Sequence, residues 1–340
     1  MAIPETPRPI NEYAIIVDPN DNVAVVKKAT FAELEVMLPN GAIVKVRGAI
    51  APGHRFATRD IAAGEFVTQF GQPIGTSLGI HSGEQITHAN MSNDVPIIRD
   101  LPETLHTPPP DYFPEVERAT FMGHRRRDGR VGTRNYVLIV PTSMCASHEA
   151  QQISTIAEFT LYNREHYPNV DGVVAIPHNK GCGCQEGSTI DVMLRTLSNY
   201  ADHPNVGGVV LIDLGCEKTN LAQVEKYLLK REREFAKPVA KIGIQEVGGT
   251  QAAIQRGLKE VEQMLPIANR VSREVCSVSE LVLGVKCGGS DGFSGISANP
   301  SLGRAADLLV RSGGTVLITE VPEFCGAEHL LASRAKDVET

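Results

Sequence analysis

The sequence predicts a doubly wound, largely parallel α/β domain preceded by a small all-β domain. Three observations carry this. After residue 119, near-continuous apolar runs alternate with stretches of helical spacing, the pattern of a parallel sheet covered on both faces. Before residue 92, short β-branched runs are separated by Gly, Pro, Asn and Asp, which argues for closely connected strands rather than β–α–β units. Between these regions fall Pro96, Pro102, Pro108, Pro109, Pro110 and Pro114, with few periodic apolar positions. That is the composition of a semi-rigid connector. The expected organisation is a β domain at 11–92, a Pro-rich linker at 93–118 and an α/β domain at 119–340.

The totals narrow the class. A chain of 340 residues, 42% hydrophobic and 21% charged, is long enough for two globular domains. A formal charge of −7 gives no basic footprint for nucleic acid or an anionic membrane. No apolar run has transmembrane length, and Met1–Pro19 has no basic-then-apolar signal pattern. Several of the seven Cys lie beside glycines at strand ends. In an intracellular chain such thiols are more often metal-binding, catalytic or buried than disulfide-bonded. A cytoplasmic enzyme is the expectation.

In the β domain, Ala14–Val17 and Val23–Val26 flank the turn Asp18–Asn22, and Ala42–Val46 and Phe56–Ile61 follow. Two units, Ile61–Val67 and Ile80–Ile86, each place Gly-Glu between apolar residues, with Phe70–Gly75 between them. In the α/β domain the expected strands are Tyr136–Pro141, Gly172–Pro177, Gly208–Leu214, Val239–Ile244, Leu281–Val285 and Thr315–Thr319. The expected helices are His148–Tyr167, Ser188–Tyr200, Leu221–Phe235, Thr250–Met264 and Leu302–Ser312. Asn299 and Pro300 read as the N-cap and first residue of the last helix.

Ligands of such sheets bind outside the carboxyl ends of the strands. Cys145, Cys182, Cys216 and Cys287 follow four different strands and are expected at one edge of one sheet. His178 with Cys182 has the best metal-like spacing, and Glu217 and Glu320 suit harder ions. Either a metal or catalytic cluster or a set of buried structural thiols accounts for this placement. Cys184, Cys276 and Cys325 read as structural. Cys287-Gly288-Gly289-Ser290-Asp291 after a strand could cradle an anionic group, although no P-loop is present. The basic run Gly123–Asn135 either holds an acidic substrate or forms a solvated hairpin turning at Asp128-Gly129. Arg134 falls at the far end of the sheet from the thiols.

Taken together, these motifs resemble the altronate/galactarate dehydratase family over nearly the whole chain. The matching residues are Asp21–Ala24, Gly53-His54 and Phe70–Gly75, then Asp128–Asn135, His178 with Gly181-Cys182, and Leu214–Glu217. Cys287–Asp291, Ser294–Pro300 and Thr319-Glu320 complete the match. The resemblance implies an N-terminal SAF-type (β-clip) domain. It also implies hydro-lyase activity on a sugar acid such as altronate or galactarate, with Fe2+ as cofactor and Mn2+ as the alternative. Two departures stand out. Where related N-terminal domains often carry His-x-His-Asn, this chain has Thr87-His88-Ala89-Asn90, a shift that would turn His88 to the opposite strand face. Family members also continue through a further glycine-rich portion beyond Thr340, so the α/β domain is expected to be incomplete.

Dehydrating a hydroxy acid needs a base beside the carbon acid and help for the leaving hydroxide. On this basis His178, Cys182, Cys216 and Cys287 are expected around the metal, with Glu217 or Glu320 as alternative ligands. His178, Glu217, Ser290, Asp291 and Glu320 are the expected catalytic residues, and Ser294, Asn299 and Thr319 are expected to orient the substrate. A homo-oligomer is expected, with no nucleic-acid or membrane partner. A related lyase acting on another hydroxy acid, such as sulfolactate, and a non-catalytic sugar-acid-binding subunit are the alternatives.

Overall fold

The computed structural model describes residues 6–96, 107–229, 235–289 and 291–339. The chain forms two compact units. One comprises Met1–Phe113, Val282–Arg311 and Thr315–Thr340; the other comprises Pro114–Leu281 and Ser312–Gly314.

The first unit begins with short strands: β1 Arg8–Pro9, β2 Ala14–Ile15, β3 Val23–Val26, β4 Glu35–Met37, β5 Ile43–Lys45, β6 Arg55–Ala57, β7 Phe66–Gln69, β8 Gln72–Ser77 and β9 Met91–Ser92. They pair as three small sheets, β1-β4-β5, β2-β3-β6 and β7-β8-β9. Val26, Leu34, Val36, Val44 and Phe56 fill one core, and Val23, Ile61, Val67 and Ile80 fill another. Between β7 and β8, Phe70 and Gly71 both take left-handed backbone angles, φ 58 and 67. This is the two-residue hairpin turn that matches strand twist. Asp21 Oδ1 accepts the Gly71 N–H at 2.8 Å and holds the turn in place.

Two expectations change here. The second Gly-Glu unit forms isolated bridges, Ile61 to Ile80 and Phe56 to Gln85, rather than a strand. Thr87–Asn90 is a turn in which Asn90 Oδ1 accepts the Thr87 N–H at 2.8 Å. Strand alternation therefore says nothing about which way His88 faces. Much of the Pro-rich connector, 97–106, lies outside the described residues, and the remainder is irregular apart from a 3-10 turn at Glu115–Glu117.

In the second unit, β10 Thr120–Arg125 pairs antiparallel with β11 Val131–Gly132. Gly129 supplies the left-handed turn residue between them, φ 86. The basic run is thus a hairpin. Four parallel strands follow: β12 Tyr136–Pro141, β13 Gly172–Ala175, β14 Val206–Asp213 and β15 Val239–Gly243, in the order β13-β12-β14-β15. With them come α1 Ser147–Thr160, α2 Ser188–Ala201, α3 Leu221–Leu229, α4 Ile244–Val247 and α5 Thr250–Ala268. Alternation along β12 shows how the sheet is covered. Val137 and Ile139 pack with Ile153 of α1 and with Val261 and Leu265 of α5. Leu138 and Val140 pack with Leu194 and Leu197 of α2 and with Val224 of α3. Period-two side chains on strands apolar throughout require cover on both faces, and both faces have it. A further strand, β16 Glu274–Ser277, pairs antiparallel with β10.

The chain then returns to the first unit. β17 Val282–Val285 and β18 Thr315–Ile318 pair parallel to each other in a sheet of their own. The expectation of six strands in one sheet is therefore corrected to four and two. Apolar periodicity identifies a strand but not its neighbour. Cys287 accordingly does not share a sheet edge with Cys145, Cys182 and Cys216. α6 Ala298–Arg311 and α7 Glu328–Ala332 complete the elements, and no residue of α6 is buried. The helix starts ahead of Asn299, so Asn299 is a first-turn residue rather than the N-cap. The segment before α6 lies against the β domain: a Cβ on Gly292 would meet Gly53 O at 2.2 Å, and one on Gly295 would meet the Phe70 ring at 2.8 Å. No helix among the described residues is long and apolar enough to cross a membrane.

Candidate functional site

The carboxyl edge of the four-stranded sheet is built around Glu217. Its side chain is buried, and its oxygens accept from Thr142 Oγ1 at 3.0 Å, Ser143 Oγ at 3.1 Å, the Leu214 N–H at 2.8 Å and the Gly215 N–H at 2.7 Å. Burial alone would push this carboxyl up, but the donors outweigh it and hold the group below its ordinary value. One oxygen thus ties the loop after β14 to Thr142 and Ser143 of the loop after β12, and the other is held within its own loop by Gly215. Thr219 Oγ1 adds a bond to Thr142 O at 2.8 Å. Asp213, at the end of β14, is pushed up by burial and by the nearby Glu217 and Glu246.

The loop after β13 joins the same edge. Ser147 Oγ donates to His178 O at 3.1 Å, and the Met144 N–H donates to Lys180 O at 2.7 Å. His178 Nε2 lies 3.1 Å from Pro141 O, and its Nδ1 accepts the Lys180 N–H at 3.2 Å. A carbonyl only accepts, so Nε2 is the donor in that contact. Cys145, Cys182 and Cys216 are exposed on these three loops.

The first unit has its own cavity, of about 770 Å³. Lys286, Cys287, Asn299, Thr319 and Arg334 are among its lining residues. Glu320 stands beside it, accepting the Cys287 N–H at 2.9 Å, with Lys286 Nζ 3.9 Å away. Thr319 Oγ1 donates to Val285 O at 2.9 Å, which ties the ends of β17 and β18 together. Asp291 accepts the Phe293 and Ser294 N–H groups at 2.7 and 3.0 Å, and the Ser294 hydroxyl also donates to it. These bonds, the hydroxyl foremost, hold Asp291 below the usual carboxylate range. Ser290 lies outside the described residues.

The structure thus brings Cys287, Asn299, Thr319 and Glu320 together; in the other unit it holds His178 and Glu217 against Pro141, Thr142 and Ser143, with Cys182 and Cys216 exposed on their loops. Cys287 falls in a different unit from His178, Cys182 and Cys216. Among the described residues, no group of three or more His, Cys, Asp and Glu side chains is placed to hold a metal ion. The engaged nitrogens of His178 and the engaged oxygens of Glu217 give the local reason. Sequence reading missed Lys286, Thr142, Ser143 and Ser147. Lys286 was detectable as the cation next to Cys287 at a strand end. The hydroxyls had no such signal, because their role depends on loops that meet only in the fold.

These parts define a two-unit protein with polar groups gathered at the ends of parallel strands. Residues 12–94 match the altronate/galactarate dehydratase SAF domain. Residues 123–269 match the second domain of D-galactarate dehydratase/altronate hydrolase, and 278–340 match the C-terminal domain of D-galactarate/altronate dehydratase. The chain belongs to the altronate/galactarate dehydratase family. It is 35% identical over 325 residues to altronate dehydratase of Escherichia coli strain K12, covering 94% of this chain and 62% of that protein. To galactarate dehydratase (L-threo-forming) of the same strain it is 37% identical over 343 residues, covering 98% and 64%. To the (2R)-sulfolactate sulfo-lyase subunit beta of Chromohalobacter salexigens it is 34% identical over 220 residues, covering 65% and 51%. The chain therefore spans about three fifths of the length of the two dehydratases.

Proposed function

We propose that this chain serves a hydro-lyase that removes water from a sugar acid such as altronate or galactarate, giving a 2-keto-3-deoxy sugar acid. The observation that carries the reading is the cavity beside Cys287. It combines a cation, a thiol, a hydroxyl and an amide at the end of two parallel strands. Lys286 supplies positive charge for a substrate carboxylate, while Thr319 and Asn299 offer hydrogen bonds to substrate hydroxyls. Glu320, fixed by the Cys287 N–H, is the proposed proton acceptor. Asp291 and Ser294 set the turn that leads into α6. Ferrous iron, or manganese, is the proposed cofactor, although the described residues form no ligand set for it.

The likeness to a sulfo-lyase subunit supports a second reading, elimination of sulfite from a sulfonated hydroxy acid. Incubating the purified chain, supplied with Fe2+ or Mn2+, with altronate, galactarate and sulfolactate separates the readings. The expected result is a 2-keto-3-deoxy acid from a sugar acid, lost in Cys287→Ser. Release of sulfite would favour the second reading. Binding without turnover on every substrate would overturn both in favour of a binding subunit.

A further inference from the structure

The second unit has a cavity of about 210 Å³ at the edge of the parallel sheet opposite the cysteine-bearing loops. Gly207 lies at the start of β14, Lys237 and Pro238 precede β15, and Arg270 follows α5. Arg126 and Arg127 come from the hairpin before β12. Among the described residues, the cations lining this cavity outnumber its carboxylates. Arg126 donates to Pro204 O at 2.6 Å, Asn135 Oδ1 at 3.0 Å and Arg134 O at 3.2 Å, all neutral acceptors. Lys237 Nζ donates to Ala201 O at 3.2 Å and His203 O at 2.5 Å, again neutral. The two lining carboxylates are already engaged. Asp128 and Asp202 both pair with Arg130, at 2.6 and 3.0 Å. Arg125 is held by Glu274 and Glu280.

Helix capping accounts for part of this. Lys237 reaches the last carbonyl of α2, where a cation is favoured. Capping does not account for Arg127 and Arg270, which also line the cavity and have no ion pair among the described residues. Burial raises the need for a counter-charge. It pushes the Lys237 ammonium down to about 7 and the Arg126 guanidinium down to about 10. Guanidinium forks and an ammonium converging on one small cavity match an oxyanion, which takes paired charge-assisted hydrogen bonds.

We propose that this cavity binds the phosphate or carboxylate head group of a small anion, held by Arg126, Arg127, Lys237 and Arg270 at the end of the four-stranded sheet opposite its cysteine-bearing loops. The test is calorimetric titration of the chain with sodium phosphate, and separately with sodium succinate, at one fixed ionic strength. One site is expected. The double variant Arg127→Ala, Arg270→Ala should weaken it about tenfold or more while leaving thermal unfolding without added anion unchanged. Binding of phosphate alone assigns a phosphate head group, and binding of succinate alone assigns a carboxylate. If the double variant does not fold, Lys237→Gln provides the same reading, because its amide can still donate to Ala201 O. The proposal is overturned if neither anion binds, or if binding is unchanged in the variant measured.

Discussion

Replacing Glu217 by Gln removes one charge and changes almost no volume. It therefore isolates the carboxylate that ties the loops after β12 and β14. In the wild type, one oxygen accepts from Thr142, Ser143 and Leu214 N, and the other accepts from Gly215 N. Glutamine can keep the first oxygen, but its amide nitrogen then faces the Gly215 N–H, donor against donor. One charge-assisted bond is lost, a buried donor is left unpaired, and the remaining bonds become neutral. Together these cost about 2–4 kcal/mol. The pH dependence follows from the sign. The folded carboxyl lies below its unfolded value. Its stabilisation is thus fully present above the unfolded pKa, about 4.3, and is lost as pH falls through the folded value. Urea unfolding of wild type and E217Q at pH 7 should differ by that amount, and the gap should narrow below about pH 4. A difference under about 0.5 kcal/mol at neutral pH, or one that does not narrow in acid, would refute the anchoring role.

Other substitutions test the frame that carries the site. Asn135 is fully buried and donates to Asn169 O and Ala268 O while accepting from Arg126. Asn135→Ala should lower stability by about 2–4 kcal/mol in chemical denaturation, because three partners lose their bonds at once. A Cβ on Gly257 of α5 would lie 2.3 Å from Ile153 Cδ1 of α1. Gly257→Ala should therefore cost about 1–3 kcal/mol through overpacking, seen as a lower melting temperature. At Gly292 the obstruction is backbone, Gly53 O at 2.2 Å and Gly53 Cα at 2.6 Å. Gly292→Ala should displace the Asp291–Ser297 segment, and faster amide exchange confined to that segment and to Gly53 is the expected signature. Unchanged exchange there would show that the close approach is not needed.

Much of the fold was readable because it rests on local chemistry. β12 runs over the expected residues Tyr136–Pro141, since a run of five apolar residues closed by proline leaves little alternative. The hairpin at Asp128-Gly129 formed because Gly129 accepts a positive φ, and that placement decided the role of the basic run. β4 Glu35–Met37 and β16 Glu274–Ser277 escaped notice because each is short and largely exposed, with too few apolar positions to give a period. The candidate site was legible as a set of residue types at strand ends. It was not legible as a set of neighbours.

That distinction separates the contributions of sequence and tertiary structure. The sequence by itself determined that a β-rich start and an alternating α/β region exist, which strands end in thiols, and which family the motifs resemble. Period, turn chemistry and motif spacing are properties of the chain alone. Only the tertiary structure decided that four strands share one sheet while β17 and β18 form another. It also decided that Glu217 ties two loops together through one oxygen while Gly215 holds the other. Strand partnership and hydrogen-bond occupancy depend on residues far apart in the chain, such as Thr142 and Glu217, and no local pattern encodes which distant donor a buried carboxylate will meet.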